Sequence, residues 1–81
     1  MENITHYPEK KCFILDFDSN EAVLEYRFID TATVDFSRTF VPESFRGQGL
    51  AEKLVRHGLA WARDQHYNVV ATCWYVDKFL S

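Results

Sequence analysis

The chain has 81 residues, 47% of them hydrophobic and 16% aromatic, and a formal net charge of −3. That is enough apolar bulk for one compact domain over residues 1–81, although a chain this short buries only about 60–65% of its unfolded surface. The acidic balance gives no electrostatic footprint for nucleic acid, no apolar run approaches the roughly 20 residues of a membrane span, and two isolated cysteines make neither a disulfide framework nor a zinc site.

Residues 1–10 read as a polar lead-in, partly ordered by Ile4 and Tyr7. They lack the basic and apolar regions of a signal peptide, so the expected location is cytoplasmic. From Cys12 the pattern changes. Phe13, Leu15 and Phe17 alternate with Ile14, Asp16 and Asp18, the period of two expected of a strand. Asp18, Ser19 and Asn20 form a turn, because short Asx and Ser side chains satisfy the local backbone. A second strand over residues 21–29 puts Ala22, Leu24, Tyr26 and Phe28 on one face.

After the turn at residues 30–32, a third strand over residues 33–41 carries Val34, Phe36 and Phe40 inward. Arg38 interrupts that face, which implies either a bulge or a ligand-facing role. Pro42 ends the strand, since it has no N–H for the ladder. From Gly49 to about His66, Leu50, Ala51, Leu54, Val55, Gly58, Trp61 and Ala62 fall within an arc of about 140° at helical spacing. Glu52 and Arg56 sit outside it as an i,i+4 pair of the ordinary solvated kind. His57 and His66 belong to the wet side or the end of this helix. The last run, residues 69–76, is apolar on both faces, as expected of an interior strand. Residues 77–81 add at most one helical turn.

The expected order is β-β-β-α-β: an antiparallel meander, then a helix that carries the chain to a parallel final strand, an α+β arrangement of α/β type. The glycine-rich stretch Arg46-Gly47-Gln48-Gly49-Leu50-Ala51 then lies at the carboxyl end of the third strand and opens the helix. Glycines let a backbone approach a ligand, and a helix start leaves N–H groups unpartnered, which suits phosphate. The same glycines also serve simply to shape a tight turn.

In that setting the stretch resembles the Gln/Arg-x-x-Gly-x-Gly/Ala signature of the GNAT acetyltransferases. Arg38-Thr39-Phe40-Val41-Pro42 and Cys73-Trp74-Tyr75-Val76 are similar to two further motifs of the small single-domain branch of that family, so the likeness covers roughly residues 12–76. It implies a reduced GNAT fold and an acetyl-CoA (acetyl-coenzyme A) site on Val41, Arg46, Gly47, Gln48, Gly49, Leu50 and Ala51. It also implies N-acetyl transfer to a small-molecule or peptide amine. The catalytic candidates it supplies are Cys73, as a nucleophile or as a wall of the thioester pocket, Tyr75, as a proton donor to the leaving thiolate, and Arg38. Where that branch often has histidine, this chain has Arg38, which cannot act as a base near neutral pH and would instead hold an anion or a developing oxyanion. Trp74 replaces a smaller residue and narrows the pocket. The alternative is a non-catalytic coenzyme A-binding or regulatory module. No metal, nucleic acid or membrane partner is expected, and the chain is expected to be a monomer or weak homodimer.

Overall fold

The computed structural model describes residues 3–45 and 47–80. One five-stranded sheet, β1 (Asn3–Tyr7), β2 (Cys12–Phe17), β3 (Asn20–Asp30), β4 (Thr33–Phe40) and β5 (Asn68–Ala71), runs in sequence order. The first four strands are antiparallel and β5 is parallel to β4. A long helix, α1 (Leu50–Asp64), connects β4 to β5 and covers one face of the sheet, and a single helical turn, α2 (Trp74–Asp77), follows. The α+β meander, helix and parallel strand are as expected from the sequence.

The sheet has one strand more than expected. Residues read as a polar lead-in form β1, in which Ile4 pairs with Leu15 and His6 with Phe13. Histidine hides the alternation when it is counted as polar. Here the His6 ring stacks on Phe13 at 4.1 Å between centroids, and its Nε2 meets the Tyr26 hydroxyl at 2.6 Å, so the imidazole behaves as part of the core face.

Phe13, Leu15, Ala22, Leu24, Val34 and Phe36 from the sheet pack on Leu54, Val55, Leu59 and Ala62 of α1, all buried. The contact is close at Gly58, where a Cβ would meet Leu24 Cδ2 at 2.6 Å. Asp18 and Ser19 both adopt positive φ, 53° and 65°, the conformation that lets a two-residue turn follow the twist of its strands.

A bulge separates the two halves of β4. Arg38 pairs with Glu25 and Phe36 with Tyr26, leaving Ser37 as the extra residue. One inserted residue inverts the facing of everything after it. Of the two readings open for Arg38, the strand adopts the bulge, and Arg38 is exposed on the sheet face away from α1. Phe40, expected inward, is 54% exposed for the same reason, and Thr39 takes the inward place beside Leu24.

The final run is also different from the interior strand expected over residues 69–76. β5 stops at Ala71, pairs only with β4 and forms an edge of the sheet. Its ladder ends at Phe36↔Ala71, and the Cys73 N–H donates to the Phe36 carbonyl just beyond it. Past that point the bulge has turned β4 away, so the chain satisfies its backbone as α2 instead. Val76, the buried residue of α2, keeps the apolar character that made the segment look like a strand.

Candidate functional site

Where β4 and β5 part, a cavity of about 530 Å³ opens, within the range of small-ligand sites. Thr39 and Val41 wall it from the end of β4, and Phe45 closes its floor from a short turn at Glu43–Phe45. Gly47, Gly49, Ala51 and Glu52 bring the glycine loop and the first turn of α1 to it. Cys73, Trp74 and Tyr75 complete it from the start of α2.

Six of the residues expected from the sequence are thus together: Val41, Gly47, Gly49, Ala51, Cys73 and Tyr75. Gln48 is exposed, and its side-chain amide donates to the Ser44 carbonyl at 2.9 Å, bracing the loop rather than lining the cavity. The Leu50 side chain is buried in the core. Arg38 does not line the cavity, and Arg46 lies outside the described residues. Thr39 and Glu52 were not legible as site side chains. The first depends on the bulge, and the second reads as half of the Glu52–Arg56 pair, which indeed forms at 2.7 Å.

Gly47 and Gly49 adopt φ of 78° and 72°, and a Cβ on either would meet nothing within 4 Å. Space is therefore open at the loop, and the left-handed backbone is what requires glycine. Gly49 caps α1, whose first turn leaves N–H groups without intrahelical acceptors. On the other wall, the β4 edge beyond Phe36 has no pairing with β5. An open anion-friendly loop joined to an unpaired strand edge fits the pyrophosphate and amide-bearing arm of coenzyme A.

The two reactive side chains are biased in opposite directions. Burial works to raise the Cys73 thiol pKa, but the Thr39 hydroxyl, 3.4 Å from Sγ, and the backbone N–H groups of Val76 and Tyr75 outweigh it, and the thiol lies below its ordinary value. Tyr75 is raised, first by burial and then by the Glu52 carboxylate, which keeps its phenol protonated. Cys12, outside the cavity, is buried and shifted upward by desolvation and by Glu25. Among the described residues no group of His, Cys, Asp and Glu is placed to hold a metal ion, and no helix is long and apolar enough to cross a membrane.

Known proteins are similar to this chain in sequence and in fold. The chain is 34% identical over 62 residues to protein NATD1 of Xenopus tropicalis, covering 76% of this chain and 57% of that protein. It is 33% identical over 67 residues to protein NATD1 of Danio rerio, covering 83% of this chain and 61% of that one. It thus spans about three-fifths of the length of these relatives. The NMR solution structure of a protein from Staphylococcus aureus described as GCN5-like superposes with a TM-score of 0.75 and 26% identity, covering 96% of this chain and 76% of the other. The family model for GCN5-related N-acetyl-transferase matches residues 12–81, which include every residue lining the cavity, and the chain belongs to that family.

Proposed function

We propose that the cavity binds acetyl-CoA and that the chain transfers the acetyl group to an amine of a small-molecule or peptide acceptor. The observation that carries this reading is the juxtaposition of the glycine loop, the unpaired β4 edge and the Cys73–Tyr75 wall around one cavity. Bound acetyl-CoA would supply the activated acetyl thioester.

The chain's own groups divide the remaining work. Gly47, Gly49 and the start of α1 hold the pyrophosphate through backbone N–H groups. Val41 and its neighbours offer unpaired backbone to the arm. Tyr75, kept protonated, donates a proton to the departing sulfur. Cys73, biased toward thiolate beside Thr39, either takes the acetyl group first or forms the wall against which the amine attacks directly. Arg38 has no part in this scheme. A free thiol in the site suits a reducing compartment, so a cytoplasmic location belongs to the same proposal; a monomer or weak homodimer is proposed with it.

A second reading, coenzyme A binding without transfer, is favoured by the placement of Arg38 on the far face, away from any oxyanion in the cavity. A titration followed by an acceptor assay separates the two. Calorimetry and residue-resolved NMR with coenzyme A should give saturable binding with shifts at Val41, Gly47, Gly49 and Cys73. Binding with no acetylated amine across a broad acceptor panel selects the second reading, and no binding sinks both.

A further inference from the structure

We infer that Lys78 is an acetyl acceptor within its own chain, a self-modification site beside the Trp74 and Tyr75 wall of the cavity; this rests on the acetyl-CoA reading above. Lys78 follows α2 directly, and its ammonium lies 4.4 Å from the Tyr75 ring centroid and 5.4 Å from that of Trp74. Both rings line the cavity. Side chains on a helix lean toward its N-terminus, and Cys73 is the N-cap of α2, so Lys78, at the other end, reaches back in the direction of the thiol. The negative faces of the two rings, with Phe79 at 5.7 Å, keep the lysine head group beside the cavity as an ammonium, which becomes a nucleophile once it loses a proton.

Of the other lysines, Lys10 lies over the Tyr7 ring and Lys11 ends the β1–β2 turn, both in the first hairpin, and Lys53 is an exposed residue of α1.

The chemistry balances without an added oxidant or reductant. Nζ sheds one proton to solvent on leaving the ammonium form and attacks the acetyl carbonyl carbon. As the N–C bond forms the C–S bond breaks, and its electron pair leaves on the coenzyme A sulfur, which takes a proton from Tyr75. The nitrogen loses a second proton on becoming an amide, and Tyr75 recovers its own from solvent. The product has no charge at position 78, so the ammonium hold on Trp74 and Tyr75 is released and the reaction occurs once per chain.

The test is incubation of the full chain with acetyl-CoA, followed by intact-mass and peptide-mapping mass spectrometry, with calorimetry on the same preparation. One acetyl group should accumulate on Lys78, about tenfold or more faster than on any other lysine, at a first-order rate independent of protein concentration. In Lys78→Arg the acetyl incorporated per chain should fall to near zero rather than move to another lysine. Equal labelling of all lysines, a rate proportional to protein concentration, or acetyl on Cys73 alone overturns the inference. If coenzyme A binds and Lys78 stays unmodified, only this inference fails; if coenzyme A does not bind, the functional reading fails with it.

Discussion

Asp35 accepts both hydrogen bonds that Thr72 donates, from its backbone N–H and from its hydroxyl, each at 2.8 Å. The carboxylate is 1% exposed, and the Arg27 Nε–H also donates to it at 2.9 Å. Thr72 is the residue before Cys73, so this buried carboxylate fastens the place where β4 and β5 part and the cavity begins.

Replacing Asp35 by Ala leaves the Thr72 donors without their acceptor, and the stability lost should be about 1–3 kcal/mol, read as a lower denaturation midpoint at unchanged slope. The pH dependence has a definite sign. Burial works to raise the Asp35 pKa, but the Thr72 and Arg27 hydrogen bonds win and hold it below its ordinary 3.8. The native state therefore binds fewer protons, and this contribution is complete above pH 3.8 and lost as the pH falls below it. Asp35→Asn should flatten the stability profile in that acid window.

Gly49→Val and Gly58→Ala separate two uses of glycine. At Gly49 there is room for a side chain but φ is 72°, so the variant should stay folded, cost about 1–2 kcal/mol and lose coenzyme A binding by calorimetry. Unchanged affinity would refute the phosphate-loop assignment. At Gly58 the φ is ordinary and the space is absent, so Ala should destabilise by about 1–3 kcal/mol through overpacking against Leu24 and Phe36.

Thr39→Val removes the hydroxyl beside Cys73 Sγ. The midpoint of the alkylation-rate profile of Cys73 should rise toward the ordinary thiol value, while buried Cys12 stays slow in both proteins. An unmoved midpoint would mean that the backbone N–H groups alone hold the thiolate.

His6 makes a second pH window. Burial, and then the neighbouring His57, lower its pKa from 6.5, so the unfolded chain binds the extra proton. Stability from this residue is whole above about pH 6.5 and declines below it, and His6→Phe, which keeps a ring on Phe13, should remove the decline. Denaturation at about pH 7.5 and about pH 5 checks this.

Local pattern was sufficient for much of this protein. The alternation in β2 and β3, the Asp18–Ser19 turn, the apolar stripe of α1 and the glycine loop each declare themselves within a few residues, because strand and helix periods and left-handed turns are properties of adjacent positions. Tertiary structure decided the rest. β1 needed Phe13 and Tyr26 as partners before His6 became a core residue. The bulge at Ser37 sent Arg38 outward and Thr39 into the cavity, and the end of the β4–β5 ladder turned Trp74–Asp77 from an apparent strand into a helical turn. Facing depends on cross-strand register, and one unpaired residue reverses it for every position that follows, so the run of side chains in β4 does not by itself say which of them meet the ligand.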